Sequence, residues 1–214
     1  MKNITVKLQY LTPMEAAIGA VRKPYMNEKA DENLLEKIIV RIGHQSVAEH
    51  IVMNWDIDGV SRLELQEHMR HRIASPTVQS TRFALNKIIK GGKLFKDLCV
   101  MPDLSLPQFD NLTTEEKKLF EVELMYHVND TMDRVQKMKE LGYSNDLVKY
   151  FLPECLRTSI SWTINLRSMF NFISLRTDKK AHFEIRYVAN MMLKELNKTW
   201  VKSLLTQFSE NNDE

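Results

Sequence analysis

Apolar and polar residues alternate over residues 4–10, where Ile4, Val6, Leu8 and Tyr10 share one parity, and again over 51–58, where Ile51, Met53, Trp55 and Ile57 do. A period of two belongs to a strand with one buried face, so both segments read as β-strands. The clearest strand is 156–164, with Leu156, Thr158, Ile160, Trp162 and Ile164 on one side and Arg157, Ser159, Ser161, Thr163 and then Asn165 on the other. A further short strand is expected at 77–83.

Helical spacing fills much of the rest. Thr12 is placed to cap a helix opened by Pro13, with Glu15 where a capping-box carboxylate belongs. A second helix is expected over about 31–42, with Leu35, Ile38, Ile39 and Ile42 on one face, Lys37 and Arg41 near its negative end and Gly43 as its stop. Ser61 and Glu64 form a second capping box, which predicts a helix from 62 to about 73, ended before Pro76. Residues 84–112 contain Gly91, Gly92, Pro102 and Pro107 and read as a variable connecting excursion. Thr113 and Glu116 open a long helix to about 141, striped by Val122, Met125, Val128, Met132 and Val135. A short helix over 167–175 and a long one over about 180–207, with Ile185, Val188, Ala189, Met192 and Leu196 inward, complete the chain, and residues 210–214 are expected to fray. Strands and helices mix without regular βαβα alternation, so the fold class is α+β, a mixed or antiparallel sheet flanked by helices in a single domain spanning 1–214.

Composition narrows the function. A net charge of +2 gives no general argument for nucleic acid or an acidic membrane surface. Two cysteines argue against a disulfide framework, no run approaches a membrane span, and the first residues hold no apolar signal core, so a cytoplasmic protein is expected. Only six glycines occur and no Gly-X-Gly-X-X-Gly, which leaves a Rossmann-type dinucleotide site unsupported. His44 and His50 flank Glu49, and His68 precedes His71 by three, but without Cys-X2-Cys or a helical His-X3-His no metal is expected.

The most unusual local feature is Arg70-His71-Arg72, with Ser80-Thr81-Arg82 after seven intervening residues. Consecutive helix residues point about 100° apart, so the three side chains would not share one surface of an isolated helix. Either they complement the dipole at a helix C-terminus, or they reach different parts of one large anionic ligand, since a planar guanidinium pairs bidentately with phosphate. The pattern resembles the signature of the flavin-dependent thymidylate synthases. Three further blocks resemble the same family in the same order: residues 43–50 (GHQSVAEH), residues 57–62 (IDGVSR), and residues 162–172 (WTINLRSMFNF) with Leu175-Arg176.

The resemblance implies the thymidylate synthase-complementing fold, with FAD held between subunits of a homotetramer. It implies that His44, Ser46 and Glu49 line the flavin site, that Arg70, His71 and Arg72 hold the flavin and its pyrophosphate, and that Asn165, Arg167 and Asn171 bind FAD. Ser80, Thr81 and Arg82 would hold the phosphate of dUMP, with Arg70 and Lys149 also on the nucleotide, and Arg176 would be the catalytic residue that favours the uracil anion at N3. NADPH and methylenetetrahydrofolate enter as co-substrates, and no enzyme nucleophile is needed. Four positions depart from the common pattern: Glu67 for Gln, Val78 for an acidic or amide residue at the flavin or nucleotide, Lys149 for Arg and Phe83 for Tyr. Glu67 beside a phosphate would repel it unless Arg70 or Arg82 screens the charge. Read without the resemblance, Glu49 and Arg176 could form a structural ion pair, and Asn165 and Asn171 could simply cap elements. The competing functions are a related flavin-dependent one-carbon transferase acting on a pyrimidine nucleotide with another product, suggested by Val78 and Lys149, and a nucleic-acid-binding module. The near-neutral charge and aromatic-poor 70–82 segment count against the latter.

Overall fold

The computed structural model describes residues 3–90 and 95–211; the Gly91-Gly92 pair of the expected excursion and residues 212–214 of the expected frayed tail lie outside the described residues. In chain order the elements are β1 (Thr5–Leu11), α1 (Met14–Tyr25), α2 (Glu32–Glu36, continued by a π-helical turn at Lys37–Arg41), a 3-10 turn at Val47–His50, β2 (Val52–Ser61), α3 (Arg62–His68), β3 (Ala74–Val78) and α4 (Thr81–Lys90). There follow α5 (Phe95–Leu98), α6 (Thr114–Glu140), α7 (Asn145–Val148), β4 (Arg157–Asn165), α8 (Leu166–Arg176), α9 (Phe183–Leu196) and a 3-10 helix at Trp200–Asn211. The four strands form one sheet in the order β1-β2-β4-β3, with β1 and β2 antiparallel. The α+β expectation holds.

The described residues fall into two compact units, one of Ile4–Asp58, Gln66–Thr77 and the chain from Ile160 onward, the other of Asn3, Gly59–Leu65 and Val78–Ser159. In the first unit the alternation of the inner strands works as expected. Met53, Trp55, Ile57, Ile160 and Trp162 are fully buried. Helix α9 lays Ile185, Val188, Ala189 and Met192, all fully buried, at helical spacing, and packs on β1 and α8.

Five expectations are corrected here. The register of β1 on β2 shifts between Leu8 and Tyr10, so Gln9 is an extra residue and the parity of the strand flips; Ile4 and Val6 are buried but Tyr10 is 52% exposed. Thr12 does not cap α1, whose N-cap is Pro13 with no side-chain bond; the Thr12 hydroxyl instead accepts from the Val52 N–H at 2.9 Å and ties the end of β1 to the start of β2. Helix α3 ends at His68, not near 73, because the Arg70 and His71 amides turn back to the Glu67 and His68 carbonyls, and the expected strand lies at 74–78 instead of 77–83. Pro76 holds Ser75 extended and has no N–H to give a ladder, and β3 is accordingly an edge strand. The long C-terminal helix is divided at Asn197–Thr199, where the Thr199 hydroxyl donates to the Leu196 carbonyl at 2.7 Å and competes with the helical ladder.

The second unit is organised by α6. Its N-terminus is a complete capping box, with the Thr113 hydroxyl accepting from the Glu116 N–H and the Glu116 carboxylate accepting from the Thr113 N–H. Val128 and Val135 from the predicted stripe are buried, while Met125 is 38% exposed. Val128 packs with Leu98, Cys99 and Leu156, and Val135 with Leu85 and Val148. The excursion therefore contains helical pieces, α5 and most of α4, that supply core residues. Gly59, in β2, has a φ of +81°, and a Cβ there would lie 2.5 Å from the Asn3 carbonyl oxygen. The same glycine's carbonyl accepts from Arg157 Nη1 at 2.7 Å. Gly59→Ala is expected to cost about 1–3 kcal/mol from backbone strain alone, seen as a Tm at least ~3 °C lower in a calorimetric scan; an unchanged Tm would contradict this packing.

Candidate functional site

The early end of α3 decides how the basic tripeptide is used. Arg70, His71 and Arg72 lie beyond the last helical turn, so the angular spacing of a helix does not separate them. All three line one open cleft of about 690 Å3 in the first unit, a size within the range of ligand pockets. The opposite contribution comes from α8. Asn165 is its N-cap, and its Oδ1 accepts from the Ser168 N–H at 2.9 Å. Asn165, Arg167, Ser168, Asn171, Leu175 and Arg176 all line the cleft, as does Glu49. Asn165 thus caps α8 and lines the cleft at once.

Arg176, the last residue of α8, is the best-held of these groups, with 13% of its side chain exposed. Its Nη1 donates to Glu67 Oε2 at 2.7 Å, its Nη2 to the Glu67 carbonyl at 3.1 Å, and its Nε to His71 Nε2 at 2.9 Å. Glu67 also accepts from Arg70 Nη1 at 3.3 Å. Burial raises the Glu67 pKa, but the hydrogen bond and charge of Arg176, with those of Arg70, outweigh it and hold the carboxyl below the ordinary carboxylate range. Of the two arginines considered as screens for Glu67, Arg70 does so; the main partner is Arg176. The Glu49–Arg176 pair is not formed: Glu49 accepts from Arg167 instead.

His71 is held neutral. Burial, then the charges of Arg176, His68 and Arg70, push its pKa down to about 4, against a smaller upward pull from Glu67. Its ring stands edge-on to Phe172, with centroids 4.9 Å apart, and Phe172 and Trp162 also contact the buried His68. The packing of His71 on these buried rings, which do not themselves line the cleft, was not foreseen; Trp162 is fully buried, as expected of a core residue. Ile73 and Ser168 were likewise missed as lining residues, though Ser168 stands three after the capping Asn165, where a capped N–H is expected. Four arginines face one lining carboxylate, so the cleft is suited to anions.

The other candidates lie elsewhere. His44 is exposed and does not line this cleft; Ser46 lines a second cavity of about 550 Å3 with Lys23, Val47 and His50. Val78, Ser80, Thr81, Arg82 and Lys149 belong to the second unit. There Asp146, at α7, brings Arg82 Nε and Lys149 Nζ together, each 3.4 Å from its carboxylate, and the Asn145 side chain donates to the Arg82 carbonyl at 2.6 Å. Asp146 was missed although it stands three residues before Lys149; its link to Arg82 has no local signal. No helix is long and apolar enough to cross a membrane among the described residues.

A family model described as thymidylate synthase complementing protein matches residues 6–200. The chain belongs to that family. A flavin-dependent thymidylate synthase of Wolinella succinogenes is 34% identical over 91% of this chain and 94% of its own length, and one of Campylobacter jejuni is 31% identical over 89% and 91%. Two crystal structures of thymidylate synthase X from Helicobacter pylori, each with FAD and dUMP, superpose with a TM-score of 0.77; one, at 24% identity, covers 98% of this chain and the other, at 25%, covers 94%. The fold expected from the sequence is the fold found, and the reading of the chain as an enzyme of the flavin-dependent thymidylate synthase type stands.

The depressed His71 pKa has a consequence for stability. Between about pH 6.5 and 4 the unfolded chain protonates this histidine and the folded chain does not, so its contribution to folding falls as pH drops through that window and is level above it. Urea melts of the wild type and His71→Gln at pH 7.5 and 4.5 should therefore show the wild type losing more stability on acidification than the variant; equal losses would place the histidine pKa near its ordinary value.

Proposed function

We propose that this chain converts dUMP to dTMP, with the carbon drawn from methylenetetrahydrofolate, NADPH as reductant, and no enzyme nucleophile. The observation that carries the reading is the convergence in one cleft of Glu49, Arg70, His71, Arg72, Asn165, Arg167, Asn171 and Arg176, drawn from three separate blocks of sequence. The relatives' names and the FAD and dUMP held by the Helicobacter pylori enzyme at 25% identity support it. The residues fit FAD: guanidinium groups suit a pyrophosphate, and the N-terminus of α8 adds a favourable dipole. When bound, that cofactor supplies the hydride chemistry.

The chain's own residues bind and polarise. Arg70, Arg72 and Arg167 offset the cofactor's phosphate charge, and Asn165 and Asn171 offer amides. Ser80, Thr81, Arg82 and Lys149 hold the substrate phosphate, where Asp146 now occupies the two cations. Val78 offers only apolar surface there. Arg176 provides a fixed positive charge for an ionised uracil ring. His44 and Ser46 do not line the cleft of their own chain; by resemblance to the family, neighbouring copies in a homotetramer would complete each flavin site. The absence of a nucleophile suits Cys99, whose buried thiol is pushed up by its hydrogen bond with Cys155 and by burial. The unbridged cysteines suit a cytoplasmic location.

The purified protein is expected to be yellow, to bleach with NADPH, and to form dTMP when dUMP and methylenetetrahydrofolate are added; a protein that stays colourless after addition of FAD overturns the reading. A yellow protein that transfers the carbon without forming dTMP favours the altered-product enzyme suggested by Val78 and Lys149. Arg176→Ala should keep the flavin and lose roughly 100-fold or more in turnover; near-wild-type rates would remove Arg176 from its role. Lys149→Arg should keep or lower the KM for dUMP, and a rise of about tenfold, or ~1.4 kcal/mol, would show a differently built phosphate site.

A further inference from the structure

We infer that Glu67 is a positioning residue: through Arg176 it fixes neutral His71 as the Nδ1–H tautomer, so that His71 meets a molecule in the cleft only as a hydrogen-bond donor. A guanidinium has five N–H donors and no acceptor, and it does not give up its proton in a protein. Arg176 Nε stands 2.9 Å from His71 Nε2, so Nε2 presents a lone pair. A neutral imidazole then carries its proton on Nδ1. His71 lines the cleft, and with Nε2 occupied its remaining polar group is Nδ1–H. Its ligand must therefore present an acceptor there, such as a carbonyl oxygen, an unprotonated ring nitrogen or a phosphate oxygen.

Glu67 sets this up from behind. An arginine side chain has many rotamers, and one bond to an imidazole would not select among them. Glu67 takes Nη1 with its carboxylate and Nη2 with its backbone carbonyl, which fixes the plane of the guanidinium and leaves Nε–H facing the ring. The groups around His71 are consistent: Glu67, His68 and Arg70 on α3 and its closing turn, Arg176 on α8, and the uncharged rings of Trp162 and Phe172. Without the Glu67 side chain only the backbone carbonyl at 67 still holds Nη2, one bond that does not fix the plane, so Arg176 can turn toward the cleft and the imidazole loses its fixed proton.

The tautomer stands on this geometry alone, whereas the rate effects below also rest on the proposed function. The test is solid-state 15N spectroscopy of the sedimented holoprotein labelled at histidine, at pH 7.5. Six histidines give few signals, and His71 is assigned by its loss in His71→Gln. The expected result is a protonated Nδ1 and an unprotonated Nε2. In Glu67→Ala the Nε2–H form should appear, and kcat should fall roughly tenfold, or ~1.4 kcal/mol, with the KM for dUMP changed less than about threefold. Glu67→Gln, which keeps an oxygen acceptor, should restore the tautomer and most of the rate. Should Glu67→Ala not fold, Arg176→Lys reads the same point, since an ammonium lacks the fork and should also release the tautomer. A wild-type His71 protonated at Nε2, or an unchanged tautomer in the folded variant, overturns the inference. A colourless protein that forms no dTMP sinks the proposed function and leaves the tautomer result intact.

Discussion

A guanidinium with little access to water must have its charge met inside the protein, and at Arg176 that requirement ties together segments 109 residues apart in the chain. The last turn of α8 is fastened to the last turn of α3 through Glu67, and His71 is fastened by the same group. Removing one partner of such a pair leaves the other desolvated and uncompensated, which costs more than the pair itself contributes. The turn that follows α3 inherits this rigidity, and it carries the basic tripeptide into the cleft.

The other ion pairs near the candidate ligands differ in kind. Arg167 and Glu49 are each about half exposed, and Arg82 and Asp146 are exposed at least as much. Exposed pairs contribute roughly 0–1 kcal/mol, so an incoming phosphate can displace these carboxylates at little cost. The chain thus combines one firmly held cation with several that are readily given up. The first kind suits a group that must keep its orientation; the second suits groups that must change partner when an anion arrives.

Strand faces were legible in the sequence because burial on one side imposes strict alternation, as at Met53, Trp55 and Ile57. The same logic failed at Tyr10, since an inserted Gln9 flips parity without interrupting the apolar pattern. The basic tripeptide was readable as anion-binding chemistry, but not its placement: the capping box at Ser61 marks where α3 begins, and only backbone turns at Glu67 and His68 mark where it stops. The Glu67–Arg176 and Asp146–Arg82 contacts were out of reach of any local pattern. So were α7 and the helical form of α4, joined by a bond from the Asn145 side chain to the Arg82 carbonyl. The break at Asn197–Thr199 was hidden because the apolar spacing of α9 continues into the 3-10 segment with Val201 and Leu204, both buried.

The proline of β3 has a meaning beyond its local geometry. As the outermost strand on its side of the sheet, β3 would offer a row of amide hydrogens to any passing extended chain, the usual route to fibrous self-association. Pro76 deletes one of those hydrogens from the middle of a strand only five residues long. The residue that holds the chain extended at Ser75 thereby also makes this border of the sheet a poor template for further growth.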